Sequence, residues 1–214
     1  MSRPVDADSA ATYDAIVAAA LQVLAEQGHA EQTSLRQVAK LAEVSVGTIQ
    51  YYFVNKGALL EVCLDGYYSR MVALLTRLTE KASTGDFESS RAFVEDSARE
   101  VFRWARAERG LIALRVATNN TRGELHPDRQ ANVMGSMTRE VTKWLAPHVE
   151  LDELETRLAV QSVGTIMSRM AMLSDSELEN LTGLPAAEAR ARVEDHVAEA
   201  SCRLLCLDAG RPRS

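Results

Sequence analysis

The chain has 214 residues, 46% of them hydrophobic, 5% aromatic, and a formal net charge of −6. That is enough apolar matter for one small and one larger helical domain, and it excludes a wholly disordered chain. No apolar run reaches the ~20 residues of a membrane span, the first residues carry no signal-peptide core, and the cysteines (Cys63, Cys202, Cys206) are too few and too scattered for a disulfide scaffold, so a reducing cytoplasm is the expected location.

Residues 1–11 read as a disordered arm, with Arg3 beside Asp6 and Asp8. A first helix is predicted over 12–27, with Ile16, Ala20, Leu21 and Leu24 on its inner face and Gly28 as its stop. Thr33 and Ser34 are N-cap types for a second helix, in which Leu35, Val38, Ala39 and Ala42 recur at helical spacing. Ser45 is a fresh N-cap, so a third, short helix starts almost at once, with Ile49 and Phe53 turned inward. Asn55 then caps a long fourth helix over 56–81, opened by Lys56 and striped with Leu60, Cys63, Leu64, Tyr67, Met71, Leu74, Leu75 and Leu78.

Helix, tight turn and second short helix make a helix-turn-helix, which docks on double-stranded DNA. Val46, Gly47, Thr48, Gln50, Tyr51 and Tyr52 are left to face outward. Gln pairs with adenine edges, Thr bonds to phosphate or base, Tyr reaches sugars and phosphates, and Gly47 lets backbone approach a partner. A cation in the first turn of a helix opposes the dipole, and a phosphate bound there would account for Lys56. Arg36 lies on the exposed side of the second helix, as a DNA contact or as a solvated arginine. Tyr52 faces DNA or packs on the first helix, and Val46 touches a thymine methyl or nothing. Over 31–60 the charges are Arg36, Lys40 and Lys56 against Glu31 and Glu43, so the docking surface is only mildly basic.

This stretch resembles the TetR family of bacterial transcriptional regulators. The family pattern runs from an amphipathic helix ending in glycine, through TS-x-R-x-[IV]-A, to V-S-x-G-T-[LI]-x-x-[YH]-F-x-x-K. Here it falls on Gly28, then Thr33, Ser34, Arg36, Val38 and Ala39, then Val44, Ser45, Gly47, Thr48, Ile49, Tyr52, Phe53 and Lys56. The resemblance covers about the first 65 residues with unbroken spacing. Read with it, the expected DNA contacts are Thr33, Ser34, Arg36, Ser45, Val46, Gly47, Thr48, Gln50, Tyr51, Tyr52 and Lys56. One position departs. Glu43 occupies the turn position usually held by glycine, which implies a positive φ at a cost of about 1 kcal/mol and a negative charge near the DNA face.

Further helices are predicted over 88–107, 111–121, 127–145, 152–173 and 185–208, with a polar connection over 174–184 that has room for one helical turn, and a tail from Gly210. The last two long helices are apolar on more than one face: Leu154, Leu158, Val163, Ile166, Met167, Met170 and Leu173 on one, Val193, Val197, Ala200, Leu204, Leu205 and Cys206 on the other. Such helices are buried on two sides. Gly164, with Ser162, Thr165 and Ser168, permits close helix approach. A homodimer through these two helices, the four-helix bundle the family builds, fits that pattern.

A cavity for a small-molecule effector is expected in the second domain. Its candidate lining is Tyr67, Met71, Trp104, Arg115, Asn119, Met134, Met137, Met167 and Met170, together with Phe102, Leu114 and Trp144. Most of these are equally well plain core. Arg115 and Asn119, polar i,i+4 neighbours on an apolar helix, either orient a ligand or serve structure, Arg115 pairing with an acid such as Glu100. Cys202 and Cys206 read as a buried thiol pair. His29, His126, His148 and His196 have no metal-ligand spacing, and no phosphate loop or nucleophile motif is present, so neither a cofactor, a metal nor an enzyme is expected. The expectation is an all-α protein of about nine helices, with a DNA-binding domain over 1–64 and an effector-binding and dimerisation domain over 65–214. Its function would be a ligand-responsive regulator, a repressor released from a near-palindromic operator. An effector-independent DNA-binding protein, or a helical small-molecule-binding protein or enzyme, is the alternative.

Overall fold

The computed structural model describes residues 5–27, 33–85, 87–122 and 135–207. Among these there are ten α-helices and no strand: α1 (Val5–Gln27), α2 (Leu35–Leu41), α3 (Val46–Tyr52), α4 (Lys56–Thr84), α5 (Ser90–Ala107), α6 (Arg109–Arg122), α7 (Gly135–Leu145), α8 (Glu153–Met172), α9 (Asp175–Thr182) and α10 (Ala186–Leu204). The all-α expectation holds. Arg3, Gly28, His29, His126, Pro127, Met134 and the tail from Gly210 lie outside the described residues.

The helices form two compact units that part inside α4, between Arg70 and Met71, and the first unit also takes α6. The sequence division between 64 and 65 falls in the same helix but leaves α6 on the other side. The reason is a long-range contact. Gly110, at the start of α6, lies so close to α1 that a Cβ there would sit 2.1 Å from the Leu24 carbonyl oxygen. Only glycine fits against that backbone. Glu108 anchors the same end of α6. Its carbonyl accepts from the Leu111 and Ile112 amides at 2.9 and 3.0 Å. Its carboxylate takes both arms of the Arg70 guanidinium, each at 2.9 Å, the bidentate geometry that makes such pairs directional. Leu111, Ile112 and Leu114 of α6 are buried, as are Ile16, Ala20 and Leu24 of α1, Val38 and Ala39 of α2, Ile49 of α3, and Leu59, Cys63, Leu64 and Tyr67 of α4.

In the second unit, one core cluster joins Ala82, Phe93, Val94, Leu145, Ala159, Cys202 and Leu205. Trp144, expected beside the effector, instead packs on Phe93 at 4.7 Å between ring centroids. A row of arginines on α5 faces acids of α10: Arg91 to Glu199 at 2.6 Å, Arg99 to Asp195 at 3.2 Å, Arg103 to Glu194 at 2.6 Å. Exposed pairs of this kind orient helices more than they stabilise them. Arg106 is more enclosed. It donates to the carbonyls of Ala171 and Leu173 at 3.4 and 2.8 Å and to Asp175 Oδ1 at 3.1 Å. It therefore satisfies orphan carbonyls at the end of α8 while holding the start of α9.

Several boundaries differ from the sequence reading. α1 starts at Val5, so residues 5–11 are helix and not a disordered arm. The connection over 174–184 contains α9, closed by a capping box between Ser174 and Glu177 and by Gly183 at φ 71. α10 stops at Leu204. Beyond it Cys206 takes φ 55, and the Leu207 amide reaches the Cys202 carbonyl at 2.8 Å, a Schellman turn. Cys202 is buried but Cys206 is exposed, so they are not a buried pair; the helix ends before the second thiol can turn inward.

Candidate nucleic-acid interface

Three local caps set the geometry of α2, α3 and the start of α4. Ser34 forms a capping box with Gln37, whose amide donates to Ser34 Oγ at 3.2 Å while Ser34 N donates to Gln37 Oε1 at 3.0 Å. Ser45 Oγ accepts from the Thr48 amide at 2.9 Å and lies 2.8 Å from the Thr48 hydroxyl. Asn55 Oδ1 accepts from the Ala58 amide at 2.9 Å. Between α2 and α3 the Val44 amide donates to the Ala39 carbonyl at 3.0 Å, and Glu43 adopts φ 54. That is a Schellman turn with glutamate at the left-handed position, as expected from its replacement of glycine.

The inward side chains, Ile49 and Phe53, are buried. The outward face carries Gln50 and Tyr51, the latter 83% exposed. Arg36 and Lys40 on α2 are exposed as well, with Glu43 beside them in the turn. Gly47 is exposed, and a Cβ there would meet only Ser45 Oγ at 3.5 Å. Packing within the protein therefore does not demand glycine there. Val46, Thr48 and Lys56 are half-buried, with Lys56 opening α4. Thr33 requires a correction. It is 2% exposed, with Oγ1 buried and unbonded within the protein, so its side chain is not on the contact face. The neighbouring Ser34, not Thr33, is the cap.

Tyr52 takes the alternative offered by the sequence and packs on α1. Its hydroxyl lies 3.0 Å from Ser9 Oγ, and its ring meets Tyr13 edge-on at 6.1 Å. Tyr13 in turn stacks on Phe53 at 5.1 Å. Ser9 falls before the predicted start of the first helix, and Tyr13, inside that helix, gives no local sign of the partner it packs on. They are i,i+4 neighbours and share a face once α1 extends to Val5. Val54, just after α3, is an apolar residue left 89% exposed.

The expected effector residues divide between the units. Tyr67, Arg115 and Asn119 belong to the first. Met71, Trp104, Met137, Met167 and Met170 belong to the second. The Arg115 guanidinium lies over the Tyr67 ring, 5.9 Å from its centroid, a cation–π contact, and burial pushes the pKa of the Tyr67 hydroxyl up, disfavouring the phenolate. Glu100, the acid considered for Arg115, pairs with Arg77. The second unit carries a groove of about 690 Å³ whose lining includes Glu95, Arg99, Met170, Val193, Asp195 and His196. Of the expected lining, Met170 alone falls on this groove. No group of three or more metal-binding side chains occurs among the described residues.

The two capped helices with a polar, solvent-facing surface form a helix-turn-helix within an all-α chain. Residues 16–63 match the model of the bacterial regulatory proteins of the tetR family. It is 34% identical over 73 residues to YttP of Bacillus subtilis (strain 168), named a probable HTH-type transcriptional regulator. That match spans 34% of this chain and 35% of YttP. The fold is similar along nearly the whole chain to that of a protein from Mesorhizobium loti MAFF303099 assigned to the TetR-family transcriptional regulators (TM-score 0.61, 19% identity, 92% of this chain and 97% of that one). It is also similar to the fatty acid degradation regulator FadR from Bacillus halodurans (TM-score 0.50, 21% identity, 87% and 97%). No helix among the described residues is long and apolar enough to cross a membrane.

Proposed function

We propose that the chain is a DNA-binding transcriptional regulator that reads a near-palindromic operator as a homodimer and is released from it by a small molecule. The observation that carries this reading is the outward face of α3. Gln50 and Tyr51 stand in solvent on a helix whose opposite side, through Ile49, is fully buried. α3 enters the major groove, Gln50 and Tyr51 reach base edges and backbone, and Arg36 and Lys56 hold phosphates. In a dimer two such helices occupy grooves roughly 34–36 Å apart. The dimer is supported by α8, where Leu154 and Leu158 are 62% and 59% exposed and Gly164 has open space around it. Tyr67, Arg115 and Asn119 in the first unit, and Met71, Trp104, Met137, Met167 and Met170 in the second, remain the effector candidates; an Arg115→Ala protein released by the wild-type effector concentration would remove Arg115 from that set.

Selection of bound duplexes from a random pool supplies the test. Arg36→Ala and Gln50→Ala should each weaken the selected duplex by about 1–3 kcal/mol without lowering thermal stability, since both side chains are exposed. Lys56→Ala should weaken selected and unrelated duplexes alike and reduce the salt slope by about one unit. Wild-type affinity in the Arg36 and Gln50 variants would remove α3 and its neighbour as the reading surface.

A further inference from the structure

Tyr51 is the large side chain that α3 holds farthest into solvent, and a long exposed side chain pays an ordering cost when it docks. The structure reduces that freedom beforehand. Tyr51 meets Tyr52 edge-on, with ring centroids 5.2 Å apart and planes at 87°. Tyr52 is itself held twice, by the hydrogen bond between its hydroxyl and Ser9 Oγ at 3.0 Å and by the edge of Tyr13 at 6.1 Å. Tyr13 stacks on Phe53 at 5.1 Å with planes 27° apart, and Phe53 is 4% exposed. Four rings therefore run in series from the core of the first unit to its reading surface. Edge-to-face and offset geometries of this kind are the favoured ones for aromatic pairs.

We infer that Ser9 and Tyr52 are positioning residues for DNA recognition: the first turns of α1 hold Tyr52 in place, and Tyr52 holds the Tyr51 ring in its docking orientation before DNA arrives. Neither needs to touch DNA to affect affinity. The Ser9–Tyr52 bond spans 43 residues of sequence, so it also ties the start of α1 to the end of α3. The inference rests on α3 as the reading helix and adds to it a reason why Tyr52 is a tyrosine. Phenylalanine would keep both ring contacts but could not bond to Ser9.

The experiment is a double-mutant cycle on the duplex recovered from a random pool, with Ser9→Ala, Tyr52→Phe, Tyr51→Ala, and each of the first two combined with the third. Both conservative changes should weaken binding about three- to tenfold, the range expected for losing one hydrogen bond that orders a side chain. In the Tyr51→Ala background the same changes should have no further effect, because the ring they position is gone. A loss that persists in that background, or no loss from Tyr52→Phe while Tyr51→Ala weakens binding, overturns the inference and leaves the reading helix intact. Wild-type affinity in Tyr51→Ala overturns Tyr51 as a reader and the inference with it. Thermal unfolding of each variant keeps a general loss of structure separate from these outcomes.

Discussion

Replacing Glu43 by glycine separates two effects that the wild-type residue combines. Glu43 sits at φ 54 in the turn between α2 and α3, and its side chain is exposed, so no packing is lost on its removal. A left-handed non-glycine residue costs roughly 1–2 kcal/mol. Glycine removes that cost but loses about 0.5–1 kcal/mol through the greater freedom of the unfolded chain. The net expectation is a gain of up to about 1.5 kcal/mol in the stability of the α2–α3 pair, centred on ~0.75. Glu43→Gln keeps the left-handed residue and removes only the charge, so its stability should match the wild type. Both variants should bind DNA more tightly by about 0.2–1 kcal/mol, the scale of exposed charge interactions, with the gain shrinking as salt rises. Both tryptophans, Trp104 and Trp144, lie in the second unit, so their fluorescence is the wrong probe. Amide hydrogen exchange across α2 and α3 reads the relevant opening. Equal exchange in Glu43→Gly and wild type would refute the claim that the turn carries backbone strain.

Four further outcomes are expected. Gly110→Ala must force α6 away from the Leu24 carbonyl, which is backbone and cannot yield, so it should cost more than the 1–3 kcal/mol usual for overpacking; a urea titration giving a smaller loss would show that α6 is loosely held. Arg106→Ala should destabilise by about 2–3 kcal/mol by stripping donors from the Ala171 and Leu173 carbonyls, and Arg106→Lys should recover only part of it, since a point cation lacks the planar fork; full recovery would mean that charge alone matters there. Leu158→Glu on the exposed face of α8 should convert dimer to monomer in sedimentation, and a variant that stays dimeric places the interface elsewhere. Burial pushes the Cys63 and Cys202 thiols up to about 11 from 9.0. Between those values the unfolded state ionises first, so each thiol should lower stability as pH rises by up to ~1.4 kcal/mol per unit, and Cys63→Ala should flatten that decline. A thiol reagent at pH 8 should label the exposed Cys206 alone.

The parts of the first unit that were legible are those governed by neighbours in sequence. Ser34 with Gln37, Ser45 with Thr48 and Asn55 with Ala58 are three-residue spans, and each was readable as a cap before any tertiary contact was known. The positive φ at Glu43 was legible only through the resemblance, in which glycine holds that turn position. Thr33 was misplaced because its burial depends on what packs over it, which local spacing does not contain. Two misses did leave a signal. Asp6 and Asp8 complement a helix N-terminus, and Ser174-x-x-Glu177 ahead of Gly183 is a capping box with its stop. The effector residues show a different limit. Periodicity marks Tyr67, Trp104 and Met167 as inward-facing but cannot say against what, and Trp144 illustrates the consequence by packing at a tilt on Phe93 in the second unit's core.

Membership of α6 in the first unit bears on how this protein can be recombined. The segment that matches the family ends at residue 63, which invites a cut just after it when the helix-turn-helix is transplanted to another protein. Such a cut would leave behind Leu111, Ile112 and Leu114, and with them the glycine that seats α6 against Leu24. It would also strand Arg70 or discard it, together with its partner Glu108. A chimera that works should therefore inherit two pieces of chain, one through Arg70 and one from Glu108 to the end of α6, with foreign sequence spliced between them as well as after them. The chain passes from one unit to the other three times, after Arg70, after Ala107 and beyond α6, so neither unit is a single end-to-end segment.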